Sequence, residues 1–537
     1  MPKKFGSFQL IGFMIIYKKM EEIVNNIERI KVAGRLLLII CSIIEMLFFP
    51  SLENFAWCIL FLYSWFLFEK FIFKYENLKK YFLPTLAISG SILMYVVLPL
   101  VVTLIEAKPV TFNFEVPLDL CLYQFINITV IVAAYLLCIS LYNPDNFFVN
   151  LWSKLGLFTP VSDAQIWFFS CICLLFFVIS ALTHSEASGG IEAVNASANG
   201  GGFVAIFESL LQGCLLMPIC LFFKNFYGGY FVNDKKQIVP FMLFMLVVIV
   251  CSIITTRRKF IFEIGLAIAL LYCLNSILYT NKQLITLKNI IWGIIALFII
   301  GGPITNLAVA MAATRNLNET HSFKDIISLY NDKIKMHAIK ELMLSESSGK
   351  NDVGWSEYYV DNALLDRFCN LRVQDATLYY AEKLGFDNPK MHDYMGNRIS
   401  VLFPGFIAKM LNIEKKGDTT PADLMESEYL FSGNIRYAGN KVTGHLGAGL
   451  FWLGHLYFPV SFAIYFTLFY FFCTCVYTRQ NYFIVPVFII CQIKSYLMFF
   501  VNSYGIISSI EIILRNGAQG IILYCLTMYI VRILIRY

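Results

Sequence analysis

The stretch Pro240–Leu274, PFMLFMLVVIVCSIITTRRKFIFEIGLAIALLYCL, decides the fold. A helix needs about 20 mostly apolar residues to cross a bilayer. The runs on either side of "TTRRK" each approach that length. The turn between them carries three consecutive cations, Arg257, Arg258 and Lys259. Such a pattern reads as two membrane spans joined by a charged turn, and it raises the question of which face that turn occupies.

The rest of the chain repeats the motif. Of 537 residues, 58% are hydrophobic and only 15% charged, with a mean hydropathy of +0.67. A soluble protein of this size needs far more charge to cover its surface. Twelve spans satisfy the length criterion: 33–49, 55–73, 82–105, 118–141, 166–182, 203–223, 239–255, 260–279, 290–312, 448–472, 482–500 and 517–535. The expected fold is therefore an all-α polytopic membrane protein of about twelve transmembrane helices with a large helical extracytoplasmic loop. It divides into a membrane bundle over 1–312, the loop over 313–447 and a second bundle over 448–537. The apolar run FQLIGFMIIYKKMEE near the N-terminus lacks a small-residue cleavage site and reads as an interfacial segment. The content of 50 Phe and 30 Tyr suits lipid-facing and interfacial surface.

Orientation follows from the cations of the short turns. Lys3, Lys4, Lys18, Lys19, Arg29, Lys31 and Arg35 precede the first span. Lys70, Lys74, Lys79, Lys80, Lys154, Lys224, Lys235, Lys236, Lys282, Lys288, Arg479 and Arg536 fall in the even-numbered turns and the tail. All lie on one side if both termini are cytoplasmic. The odd-numbered turns are poor in cations, except for the short one that holds Arg257, Arg258 and Lys259.

The loop 313–447 holds 16 Lys or Arg and 18 Asp or Glu, while the net charge of the whole chain is +6. Loops of that length escape the charge rule, so an outer position is acceptable. Ser322 followed by Asp325 opens a helix with Phe323, Ile326, Ile327, Tyr330 and Ile334 on one face. A second helical segment runs from about Ser356 to Leu384 and stops at Gly385, and Thr420–Pro421 opens a third. The segment is a helical cap over the bundle, since a disordered tract would lack its aromatics.

The chemistry is mostly defined by exclusion. No Walker loop, H-E-x-x-H, G-x-S-x-G or interfacial D-x-D is present. The modest net charge lies mainly in short loops, which gives no nucleic-acid partner. Fourteen of the 15 cysteines lie in or beside apolar segments, and Cys369 is alone in the loop, so the cysteines read as packing thiols. No cofactor and no metal are expected.

In TTRRKF, Thr256 is placed to cap the eighth span, which puts three cations in its first turn. The partial positive charge of a helix N-terminus disfavours cations there. Free backbone N–H groups with two guanidinium forks make a phosphate cradle, in which a bound pyrophosphate turns the repulsion into attraction. The alternative is headgroup anchoring, with Lys259 paired to Glu263 one turn on. Glu45, Glu208 and Glu263 within spans leave an ion path as a further reading.

An outer basic turn, then a large outer loop before the last spans, resembles the O-antigen polymerase (Wzy) and O-antigen ligase superfamily. TTRRKF is similar to that family's T-x-S-R-G-like turn, with Arg257 or Arg258 in the Arg place and without the small residue that follows. NRISVLFPGFIAKMLNIEKKG (397–417) resembles the polymerase loop pattern, with Pro404, Lys409, Lys415 and Lys416 in its places. Arg436 and Gly447 match an R-x10-G spacing found in some polymerases, and TGHLGAGLFWLGHLYFPVSFAIY (443–465) looks like the segment that re-enters the membrane.

The resemblance implies a GT-C-like, inverting, metal-independent glycosyltransferase in a bacterial inner membrane. A polyprenyl-pyrophosphate-linked oligosaccharide is moved onto the next lipid-linked repeat unit, with membrane lipids and a chain-length regulator as further partners. Arg257 and Arg258 would meet the leaving pyrophosphate, and Arg315, Arg398, Lys409, Lys415 and Arg436 would bind pyrophosphate or glycan. His445, where the loop re-enters the membrane, is the candidate base or an ordinary interfacial histidine. Asp361, Asp366 and Asp375 are rival bases or solvated helix-face charges, and Arg315 is a phosphate ligand or an interfacial anchor. Two alternatives stand beside the polymerase: a ligase delivering finished glycan to a lipid A core, and a lipid-linked oligosaccharide flippase.

Overall fold

A computed structural model describes residues 5–183, 210–228 except 212, 235–254, 259–279, parts of 286–339, parts of 356–399, 410, 420–431, 442–479, 482–502 and 506–535. The described residues are almost entirely helical. Helix α1 (Phe5–Phe48) is followed by α2 (Leu52–Ile72), α3 (Phe82–Ile105), α4 (Pro117–Leu141), α5 (Asp163–Thr183), α6 (Lys235–Ile254) and α7 (Lys259–Leu278). The loop segment contributes α8 (Phe323–Asn331), α9 (Leu371–Leu384), α10 (Pro389–Ile399) and α11 (Pro421–Phe431). Helices α12 (His445–Thr474) and α13 (Ile506–Leu534) complete the set, with a two-stranded hairpin, β1 (Tyr477–Arg479) and β2 (Tyr482–Ile484), after α12.

Six of these helices are long and apolar enough to cross a membrane: α2, α3, α4, most of α6, α12 and α13. Two shorter apolar helices, within α5 and α7, add to them. The protein is thus an all-α, multi-pass membrane protein by length and composition. Its outer faces fit lipid contact: Leu36, Ile40, Ile43 and Leu47 on α1, Met242, Leu243 and Leu246 on α6, and Leu526, Ile530 and Ile533 on α13 are exposed.

Two of the twelve expected spans are not continuous helices. In the described part of 203–223, residues 214–216 form a turn and Met217–Phe222 a 3-10 helix containing Pro218, nearly all of it buried. In place of a helix over 482–500 stand β2 and short helices Val487–Cys491, Ile493–Leu497 and Phe499–Asn502. The physical reason is shared. Both segments are walled in by other helices, and irregular backbone at membrane depth is tolerated only inside protein. Pro218 and Pro486 further remove backbone donors at their starts. Near the N-terminus, the run read as interfacial is the beginning of the unbroken helix α1.

Helix boundaries elsewhere follow local chemistry. Ser51 caps α2, its Oγ accepting from the Asn54 amide at 3.1 Å. Helix α9 ends before Gly385, whose φ of +86° suits glycine. Thr420 and Asp423 form a reciprocal cap on α11: the Asp423 carboxylate accepts from the Thr420 amide at 2.9 Å, and the Thr420 hydroxyl accepts from the Asp423 amide at 3.2 Å. The expected helix from Ser356 is not continuous: 358–362 is non-helical, a single helical turn spans Ala363–Asp366, and the long helix begins only at Leu371; within this strap Asp366 accepts from the amides of Tyr359 and Val360.

The turns sort onto two opposite faces. On one, Trp152 donates to Thr474, Thr478 to the Lys79 carbonyl, and Arg532 to the carbonyls of Gly156 and Thr159; Lys224 pairs with Asp163 at 2.7 Å. These are the cation-bearing even-numbered turns. On the other face, Glu45 and Asn54 accept from the Val110 amide and the Thr111 hydroxyl and so hold the turn 106–116, which in turn meets the strap and α9 of the loop segment. The Gln237 end of α6 bonds Trp167 and the Asn275 end of α7 bonds Asn225, both toward the first face. Their opposite ends, Ile254 and Lys259, therefore point to the second, where Ile253 packs against an apolar cluster of Val309, Ala310, Met311, Ile326 and Met336.

Candidate functional site

The seam where the loop segment docks onto the bundle concentrates the polar chemistry. It is built from the turn 106–116, the strap 358–366, α9 and the start of α12. Lys108 is its first anchor. Its ammonium donates to Glu106 at 3.0 Å, Asp361 at 2.8 Å and the Tyr358 hydroxyl at 3.1 Å, and it lies over the Phe112 and Tyr358 rings. Burial works against that charge, yet the bonds to Asp361 and Glu106 hold its pKa above the ordinary lysine value. Burial of Asp361 is likewise outweighed, and Lys108 keeps that carboxyl below the ordinary aspartate range. Glu106 accepts in turn from the amides of Asp361 and Asn362.

Asp375 is the second anchor and sits far from any solvated face, with no exposure at all. Its carboxylate accepts from the amides of Glu115 at 2.8 Å and Val116 at 2.9 Å, and from the Arg372 guanidinium. Val116 is the residue preceding α4, so a side chain of the cap closes the N-terminus of a membrane helix. Burial pushes the Asp375 pKa up to about 6, with Arg372 and the two amides only partly opposing it.

His445 begins α12 and is buried between three helices. The Asn127 side-chain nitrogen lies 3.2 Å from Nε2, and the Gln374 side-chain nitrogen 3.1 Å from Nδ1. Gln374 also donates to the Tyr95 hydroxyl and accepts from the Leu446 amide. A neutral imidazole carries one donor and one acceptor, so two amide nitrogens cannot both donate to it. Turning the Asn127 amide places Oδ1, otherwise without a partner, on Nε2–H, while Nδ1 accepts from Gln374. Both ring nitrogens are thereby occupied, and proton acceptance from a substrate requires one of these bonds to open. Gly447, one turn on, lies so close to α9 that an added Cβ would stand 2.6 Å from the Thr377 and Leu378 backbone.

A second cluster lies further along α9. Glu382, in its last turn, is half-buried and feels Asp119 in the first turn of α4. Beside them the Tyr123 ring stands 6.1 Å from Phe386, 6.2 Å from His455 and 6.2 Å from Phe458. Burial, then the Asp119 carboxylate, pushes the Glu382 pKa up to about 7.

Of the residues expected to act, His445 stands at the seam and Arg398 on α10, where it donates to the Tyr394 hydroxyl at 2.7 Å. No described hydrogen bond joins the two. Arg257, Arg258, Arg315, Lys409, Lys415 and Arg436 lie outside the described residues, as do Glu208, Pro404 and Lys416. Glu263 accepts from Lys494 at 2.6 Å, a partner the helical spacing to Lys259 did not suggest. Glu45 is fully buried, with one carboxylate oxygen on the Val110 amide at 2.8 Å. Lys108, Arg372, Gln374, Glu382 and Lys494 carried no motif in the sequence, and only pairing across distant elements reveals them. No protein-family model, no curated protein and no solved structure matches this chain.

Proposed function

We propose that the protein polymerises lipid-linked oligosaccharide repeat units, moving a polyprenyl-pyrophosphate-linked glycan onto the next unit at the outer face of a bacterial inner membrane. The observation that carries this reading is the position of the cap. Ile326 of α8 belongs, with Val309, Ala310, Met311 and Met336, to the apolar cluster against which Ile253 packs, at the end of α6 that leads directly into Arg257 and Arg258. The described cap also meets the turn 106–116, on the face opposite the cation-bearing turns. A polar cap beside a basic turn suits a reaction that holds a diphosphate at the membrane surface while a sugar is handled above it.

In this reading Arg257 and Arg258 meet the leaving pyrophosphate. Arg315, Arg398, Lys409, Lys415 and Arg436 contribute to pyrophosphate or glycan binding, and both termini are cytoplasmic. The donor is already activated, so no ATP and no metal enter the scheme.

A flippase is the second reading, and one observation favours it. The irregular segments 214–222 and 487–502 pack against each other, and the second carries Lys494, paired with Glu263 of α7; broken helices with ionisable residues mark transport sites. Gel analysis of surface glycan from a host lacking the gene separates the possibilities. Core carrying a single repeat supports the polymerase; bare core points to a ligase; lipid-linked units retained on the inner face point to the flippase.

A further inference from the structure

We propose that Glu382 is the base that takes the proton of the acceptor hydroxyl, on a shelf of Tyr123, Phe386, His455 and Phe458 that holds the acceptor sugar. This rests on the glycosyl-transfer reading and gives the reaction a centre at the cap seam.

Most carboxylates of the seam are already engaged. Glu106, Asp361, Asp366 and Asp375 each hold backbone amides or a cation. Glu382 holds neither among the described residues, although it is half-buried and faces the like charge of Asp119. A half-buried carboxylate without a partner beside a second one costs folding energy, and such arrangements concentrate where proton transfer is the task.

The shelf is the independent observation. Four rings from three elements converge, with Tyr123 and Phe458 stacked at 21° and Phe386 5.9 Å from His455. Tyr123, Phe386 and Phe458 are only half-buried, and His455 is exposed. Aromatic faces left open next to hydrogen-bonding carboxylates suit a sugar, which presents C–H groups on its ring faces and hydroxyls at its edge. Asp119 and Tyr123 stand four residues apart on one face of α4, and Phe386, which touches the Tyr123 ring, follows four residues after Glu382 in the last turn of α9, so shelf and carboxylates lie at the same ends of these two helices.

The step balances without a cofactor. The acceptor oxygen uses a lone pair to form the new bond to the anomeric carbon of the donor. The bond from that carbon to the diphosphate oxygen breaks, and its electrons leave with polyprenyl pyrophosphate. The hydroxyl proton passes to a Glu382 carboxylate oxygen and then to solvent. A base titrating near 7 is matched to this task at neutral pH. Burial and Asp119 from α4 raise its affinity for the proton, with Asp375 and Lys383 on its own helix acting in opposite senses, and Tyr123 and His455 are the further titratable groups of the shelf.

The test complements the deletion host with variants and follows glycan ladders in its isolated membranes against pH. E382Q slows chain elongation by roughly 100-fold or more, with the amount of inserted protein unchanged. E382D retains activity with its acid limb displaced, and His455→Asn keeps the wild-type limb. Full-length chains from E382Q, or an acid limb that moves with His455→Asn alone, overturn the inference. A deletion host that still makes long chains overturns the polymerase reading and this inference together; one that loses them and regains them with E382Q overturns this inference only.

Discussion

Replacing Asp375 by Ala should release the cap from the bundle. The carboxylate serves two amides and one guanidinium at zero exposure, and Arg372 is itself 4% exposed with its Nε unpartnered. Removing one partner of a buried ion pair costs about 3–5 kcal/mol, because the other charge is left in a medium that cannot solvate it. At about 1.4 kcal/mol per tenfold, local opening at the seam becomes more frequent by at least roughly two orders of magnitude. Cys369 reports that opening: it is 1% exposed, two residues from α9, and burial raises its thiol pKa, so it reacts only when uncovered. Labelling of the detergent-solubilised protein, read at Cys369 by mass spectrometry, gives the opening rate directly.

The double variant Arg372→Met with Asp375→Asn should label at an intermediate rate. It strands no cation, and the Asn carbonyl still accepts from one of the two amides. The pH arm has a definite sign. The folded-state pKa is raised from the ordinary aspartate value to about 6, so the folded seam binds the proton more tightly than the open one. Stability from this group is therefore greatest below pH 4, falls as pH rises from about 4 to 6, and is flat above. Cys369 labelling in D375A that is no faster than in the wild type, or a wild-type seam that tightens as pH rises through that window, refutes the reasoning.

Gly447→Ala should perturb the same seam sterically, since its Cβ would stand 2.6 Å from two backbone atoms of α9; about 1–3 kcal/mol is the expected cost of such overpacking, read by the same labelling. Glu263→Gln should lower the thermal stability of the solubilised protein by about 2–3 kcal/mol, because it leaves Lys494 without its carboxylate between helices. Combining it with Lys494→Met should restore most of that loss, and a double variant no more stable than the single one would show that the pair contributes little.

The membrane character of the chain was legible because hydropathy is a local property. Runs such as 82–105 and 118–141 appear as α3 and α4 within a residue of their expected ends. The same signal misread 203–223 and 482–500, because apolar composition reports burial and says nothing of backbone regularity. Around Pro218 and Pro486 the chain breaks where other helices surround it. The cap helices were legible where capping chemistry is local, at Thr420 with Asp423 and at Gly385, and not over 358–362, where Asp366 turns its carboxylate back onto non-helical backbone.

The site was less legible for a physical reason that Asp375 and Glu382 illustrate together. They stand seven residues apart on one helix and look alike in sequence, as charges on an amphipathic face. One is spent on two amides some 260 positions earlier in the chain, and the other faces a second carboxylate and holds no side-chain hydrogen bond among the described residues. What separates an anchor from a reactive group is the partner each finds across the seam. That partner is fixed by how the cap lies on α4, which no periodicity within α9 encodes. His445 makes the same point in reverse. His445 carries the sequence signal of a candidate base, yet Asn127 and Gln374, drawn from two other helices, bond both its nitrogens, and nothing within its own segment could have shown those partners.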